Sequence, residues 1–283
     1  MTWWRTVLLV AQRELAARRR AALIITGILI TIAVGVVVLV SATTSGDSSP
    51  GRLSSGEADE VLGSMSVIIM FMAILMTGQV ILMGVAEEKN SRVAEVVLGA
   101  MRPRLLLVGK VISIGLIGLF EVLLTGALVL VVGGMLDTIE LPPATAGSIA
   151  IIVLWFLLGF SFYSTVYAGA GSLVARHQNA SNAAGPINIL VMIGYAVGLV
   201  SASGPAAGNQ VLRIASLLPP FAPTTMSLRM IQGDALIWEI VLSIILLVIS
   251  SYGLMLLAER VYSGGLLRSG KTGIREAFRS AVR

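Results

Sequence analysis

Six stretches of predominantly apolar residues, each about as long as a bilayer is thick and each bounded by charge or turn-forming residues, constrain this chain more than any other feature. They run over residues 21–40, 61–85, 105–136, 148–174, 183–201 and 237–258. A helix needs about 20 apolar residues to cross a hydrocarbon core of about 30 Å. Backbone polar groups in lipid must also be satisfied internally, which favours helices over loops. The expected fold is therefore an all-α integral membrane bundle of six transmembrane helices. Composition points the same way. Of 283 residues, 56% are hydrophobic and 12% charged, whereas soluble domains carry about 25% charged residues. A disordered, collagen-like or disulfide-stapled chain is excluded by the same figures.

With an even number of spans both termini share a side, and the basic residues identify it. Arg5, Arg13, Arg18, Arg19 and Arg20 precede span one. Lys89, Arg92, Arg102, Arg104 and Lys110 cluster around the turn between spans two and three. Arg176 follows span four, and a run from Arg260 to Arg283 follows span six. The basic residues left for the opposite side are Arg52, Arg213 and Arg229. Both termini are expected in the cytoplasm, in a multi-pass protein of the inner (cytoplasmic) membrane. The net charge of +5 is then a topology signal, and a nucleic-acid partner is not expected. Span one is longer than a signal-peptide core and reads as a retained anchor.

Four connecting segments carry information. Residues 1–20 place Trp4, Val7, Leu8, Ala11 and Leu15 on one helical face, as an interfacial helix on the cytoplasmic leaflet would. Residues 41–60 are a short polar linker. Residues 86–100 read as a cytoplasmic amphipathic helix, with Val93, Val96, Val97 and Ala100 forming an apolar stripe and Glu88, Arg92 and Glu95 at pairing distance. That stripe needs a cover, which either the lipid headgroups or a partner protein could supply. Residues 203–236 contain Pro219, Pro220 and Pro223 between apolar stretches too short to cross. Since proline interrupts the helical ladder, two half-helices dipping into the outer leaflet are expected, with a plain surface loop as the alternative. The expected organisation is an interfacial helix 1–20, a six-helix domain 21–261 and a basic cytoplasmic tail 262–283.

Enzyme chemistry finds little support. There is one histidine, His177, and no cysteine, so thiolate catalysis, Cys-based zinc sites and paired-His metal sites are excluded. No metal or catalytic residue is expected. Residues 265–272 match the phosphate-binding pattern G-x-x-x-x-G-K-[ST] letter for letter. A working P-loop follows a buried strand and precedes a helix, whereas a membrane span precedes this one and eleven residues follow it. No nucleotide or other cofactor is expected on this chain. Glu121 is the ionisable residue deep within a span. Such a group faces protein or water and is a functional candidate by default; the alternative is an interhelical hydrogen bond, to Gln79 or Asn188. The methionines of span two, Met65, Met70, Met72, Met76 and Met83, fit ordinary helix packing better than an adaptable binding surface. The Gly194-x-x-x-Gly198 spacing is common by chance.

The sequence resembles the permease subunits of type-two ABC exporters, in particular the sodium-efflux (NatB-like) branch. Four stretches carry the likeness: Glu87-Glu88-Lys89-Asn90-Ser91-Arg92 leading into Glu95-Val96-Val97-Leu98; Gly171-Ser172-Leu173 with Arg176-His177-Gln178-Asn179-Ala180 and Pro186; Leu218-Pro219-Pro220-Phe221-Ala222-Pro223 through Met226 to Arg229; and Tyr262 to Lys271. The resemblance implies a permease pairing with a second permease, as homodimer or heterodimer, and with two cytoplasmic ABC ATPase subunits that bind ATP and magnesium. It makes residues 86–100 a coupling helix. Glu87, Glu88 and Arg92 would make its polar contacts with the ATPase, and Val93, Val96 and Val97 its buried stripe. It makes 203–236 an outer-leaflet re-entrant hairpin. Glu121, singled out above by its place within a span, is the candidate for the translocation path. Members of that branch usually carry a sizeable extracellular domain between spans one and two, where this chain has a short linker. The competing functions are a gradient-driven secondary transporter or channel and a membrane scaffold that moves nothing.

Overall fold

The computed structural model describes residues 26–28, 30, 31, 35, 55–90, 103–135, 145–174, 180–202 and 210–266. No strand occurs among the described residues. The helices in chain order are α1 (Ser55–Asn90), α2 (Pro103–Met135), α3 (Thr145–Leu173), α4 (Ala180–Ala202), α5 (Gln210–Leu217), α6 (Ala222–Ile231) and α7 (Ile237–Leu266). The described residues between 26 and 35 are helical as well.

Among the described residues five helices are long and apolar enough to cross a membrane, through Val67–Glu87 in α1, Gly109–Val129 in α2, Gly147–Leu173 in α3, Asn182–Val200 in α4 and Ile237–Ala258 in α7. They coincide with the second to sixth apolar stretches of the sequence. The first stretch, 21–40, lies mostly outside the described residues. So do the interfacial segment 1–20, most of the linker, and the tail beyond Leu266. α1 has 36 residues and α2 has 33, about 54 and 50 Å at 1.5 Å per residue. Both exceed the hydrocarbon thickness of about 30 Å, so each tilts or projects into the headgroups. Residues 86–90, expected to open a separate cytoplasmic helix, instead continue α1. Ala86-Glu87-Glu88-Lys89-Asn90 contains neither glycine nor proline, so nothing in it stops helix propagation.

α3 is the hub, packed along α1 on one side and α7 on another, with α2, α4 and α6 also against it. Its Trp155, Phe156 and Tyr167 are fully buried, in one apolar core shared with Met70, Ile74 and Ile81 of α1. Glycine makes that approach close. A Cβ built on Gly171 would lie 2.6 Å from the Leu82 carbonyl oxygen of α1. The outward faces of α2, α4 and α7 are apolar: Phe120, Ile189, Met192, Trp238, Ile249 and Tyr252 are all exposed. A soluble monomer avoids so continuous an apolar exterior. Here hydrocarbon is the solvent, and the chain is a multi-pass membrane protein. The methionines of α1 divide accordingly, Met65 and Met70 buried in the core and Met83 exposed, which is ordinary packing.

Candidate functional site

The proline-rich stretch after α4 is built as a helix, a turn and a helix. α5 ends at Leu217, and Leu218–Phe221 turn the chain. α6 starts at Ala222, with Pro223 in its first turn, where the missing N–H has no intrahelical partner to lose. Every residue of α6 from Ala222 to Arg229 is buried, so this segment is no surface loop. Gly233, at φ 76°, then turns the chain toward α7, a left-handed conformation glycine adopts without strain.

The turn sits in a seat made by three helices. The Tyr163 hydroxyl of α3 donates to the Pro220 carbonyl at 2.6 Å. The Thr224 hydroxyl donates to the Gly194 carbonyl of α4 at 3.0 Å, and Trp155 Nε1 donates to Met230 Sδ at 3.1 Å. Cβ atoms at Gly159 and Gly194 would meet Pro223 at 2.6 Å and the Pro220 oxygen at 3.3 Å. Gly198 faces Thr224 and Val67 of α1. The Gly194-x-x-x-Gly198 pair, discounted from sequence, is therefore the groove that receives the hairpin. Tyr163→Phe removes one tether and is expected to cost about 0.5–1.5 kcal/mol, read as a lower unfolding temperature of the detergent-solubilised protein. An unchanged midpoint counts against the seat.

A charged clasp fastens the hairpin to the last span. Glu239, two residues into α7, holds two guanidinium groups. Arg229 Nη2 of α6 donates to Oε2 at 2.5 Å, and Arg213 of α5 donates to Oε1 through Nε at 2.8 Å and Nη2 at 2.5 Å. Arg229 also donates to the Ser216 hydroxyl at 2.7 Å and the Asp234 carbonyl at 3.1 Å. Its Nε has no partner. Ser243 of α7 donates to the Ser216 carbonyl at 2.9 Å, joining α5 to α7 a second time. Arg229 and Glu239 are each 1% exposed, whereas the Arg213 side chain is 36% exposed. Charges this deeply buried persist when paired and hydrogen-bonded. The sequence reading missed this cluster, treating Arg213 and Arg229 as loop charges that report topology. The available signal was Glu239, an acid inside an apolar run long enough to span.

The residues singled out from sequence fall in three places. Pro219, Pro220 and Pro223 lie together at the tip and start of α6, in the seat. Glu87 is exposed near the end of α1, and Glu88 belongs to the same helix. Arg92, Val93, Val96 and Val97 lie outside the described residues. Glu121 is fully buried on α2. Neither of its suggested partners serves it, since Asn188 accepts the Tyr167 hydroxyl at 2.7 Å and neither carboxyl oxygen has a hydrogen-bond partner. Among the described residues no group of His, Cys, Asp or Glu is arranged to hold a metal ion.

Comparison with known proteins agrees with this architecture. The chain is 27% identical over 245 residues to the uncharacterized protein YhaP of Bacillus subtilis, covering 82% of this chain and 58% of that protein. It is also 27% identical over 201 residues to the uncharacterized protein MJ1024 of Methanocaldococcus jannaschii, covering 71% and 48%. The chain thus spans about half the length of the curated relatives it matches. The family model described as "ABC-2 family transporter protein" matches residues 36–258, a stretch containing all five membrane-crossing helices and the hairpin.

Proposed function

The chain belongs to the ABC-2 family of transporter proteins, and from that premise we propose that it is the permease subunit of an ATP-driven exporter in the cytoplasmic membrane. A membrane component of this family moves cargo rather than catalysing a reaction. ATP and magnesium would be bound by separate cytoplasmic ATPase subunits, and a second permease would complete the pathway. The observation that carries the reading is the family match over 36–258, laid on a bundle whose exterior is lipid-facing and whose α1 overruns the bilayer by several turns. Glu87 closes the crossing stretch of α1 and is exposed, where a partner can reach it.

In this reading residues 86–100 transmit force. Closure of the ATPases pushes on this segment, and α1, packed along α3, passes the push into the bundle. The bundle then alternates between inward-open and outward-open arrangements. The clasped hairpin would cap the outer end of the path, and Glu121 would face the path during the cycle. Sodium efflux remains the branch suggested by the sequence resemblance, while the family match itself leaves the cargo open.

Co-expression with candidate ABC ATPase subunits from the same genome is the test. The pair is expected to co-purify and to hydrolyse ATP in proteoliposomes. The double reversal Glu87→Lys/Glu88→Lys is expected to reduce capture or transport at least tenfold while the permease still accumulates. Retention of both capture and transport refutes the docking assignment, and gradient-driven flux from this chain alone refutes the exporter reading.

A further inference from the structure

Glu121 presents an unresolved charge problem. Its side chain is fully buried in a span and both carboxyl oxygens lack hydrogen-bond partners. One turn further along α2, the buried Thr125 hydroxyl is also unpartnered. Among the described residues the polar group facing the carboxyl is the buried Thr26, without forming a complete hydrogen bond to it. Thr77 of α1, near the same face at Gly118, has its hydroxyl committed to the Ala73 carbonyl at 2.5 Å.

No counter-charge is at hand among the described residues. α2 packs against α1, α3 and α7. α3 contains no Asp, Glu, Lys or Arg, and its buried hydroxyls of Tyr163 and Tyr167 bond elsewhere. α1 carries its charges at its two ends, up to Glu60 and from Glu87 onward. On α7, Glu239 is held by two arginines, and Glu259 and Arg260 lie at the far end. On α2 itself Lys110 shares the face but stands three turns away, about 16 Å along the axis. Among the described residues a carboxylate ion here has no cation and no formed hydrogen bond to stabilise it.

We propose that Glu121, flanked by Thr125 and Thr26, is a proton-binding site: the carboxyl holds a proton while the helices are packed as here and releases it when the bundle opens and water enters. The two hydroxyls are placed to take up the released charge by donating to the carboxylate. Proton occupancy of Glu121 would then report the conformation of the bundle. This deepens the permease reading by giving Glu121 a ligand, but its test needs neither ATP nor a partner.

The protein in lipid nanodiscs at neutral pH is expected to show the infrared carbonyl stretch of a protonated carboxylic acid, shifted in heavy water and lost in Glu121→Gln. The second measurement uses the unmodified chain, so it stands if that variant fails to fold. Dicyclohexylcarbodiimide, an apolar reagent, adds a carboxylic O–H across one C=N bond, oxygen to carbon and hydrogen to nitrogen, and the adduct rearranges to a stable N-acylurea. Mass spectrometry is expected to find that adduct on Glu121 and not on the exposed Glu87. A carbonyl band that persists in Glu121→Gln, or labelling of Glu121 only at acid pH, overturns the proposal. Suppression of labelling by sodium or lithium chloride relative to choline chloride also overturns it, because a metal ion would then hold the site. Any of these failures leaves the ATPase capture experiment, and with it the permease reading, unaffected.

Discussion

Glu239→Ala is expected to be the most damaging single substitution in the clasp, lowering stability by about 3–5 kcal/mol, because it strands Arg229 as a buried charge without its counter-ion. The neighbouring variants fall in a fixed order below it. Arg229→Ala leaves Glu239 paired to Arg213 and is expected to cost about 1–3 kcal/mol, as for a lost charged hydrogen bond. Arg213→Ala removes a partner that is 36% exposed, and its contribution is discounted for solvent screening to at most about 1 kcal/mol. The double variant Arg229→Met/Glu239→Gln removes the buried charges together and is expected to recover part of the loss seen in Glu239→Ala. Thermal unfolding in detergent, with monodisperse yield as a second readout, ranks the four. Arg213→Ala proving as damaging as Glu239→Ala refutes the assignment of Arg229 as the dependent charge.

The clasp also illustrates what sequence does not reveal. Five spans could be placed within a few residues because length and apolarity are local properties, and a bilayer imposes one length on all of them. The break before α6 was equally readable, since three prolines within five residues forbid a continuous helix. The pairing of Arg213 and Arg229 with Glu239 joins residues 26 and 10 positions apart, across a turn whose path no periodicity encodes. Counting those arginines as loop charges gave a usable topology argument while concealing that one of them is as buried as any core leucine. Glu121 shows the converse. Its burial was legible from position within a span, but its partners were guessed, and Asn188 belongs to Tyr167 instead.

Small residues raise the same difficulty. Gly194 and Gly198 have a spacing too common to interpret alone, and their role emerges only when the chain returns through residues 218–224 to fill the groove. Gly78 and Gly171 lie on different helices, with no sequence relation between them. Each is defined by what the opposite helix presents: the ring of Tyr167 at Gly78, and the Leu82 carbonyl at Gly171. Such pairings are tertiary facts.

That distinction yields the second large effect. At Gly171 the atom a new Cβ would meet is a backbone oxygen, 2.6 Å away, with Leu82 Cα at 3.2 Å and Val85 Cβ at 3.1 Å. A flexible side chain could swing aside, but a carbonyl inside α1 moves only if the helix moves. Gly171→Ala therefore has to separate α1 from α3, the pair that packs the Tyr167 ring on Gly78 within the shared apolar core. Overpacking of this kind costs about 1–3 kcal/mol, and Gly171→Leu is expected to abolish folded protein. Gly253→Ala on α7 is the control, since a Cβ there meets nothing within 4 Å. It should be neutral or slightly stabilising, because alanine favours helix by up to about 1 kcal/mol. Within the permease reading, α1 is also the route from the ATPase, so Gly171→Ala should impair transport more than its stability loss alone predicts. If Gly171→Ala and Gly253→Ala unfold at the same temperature, the close approach of α1 and α3 at this point is refuted, and the force path through it falls as well.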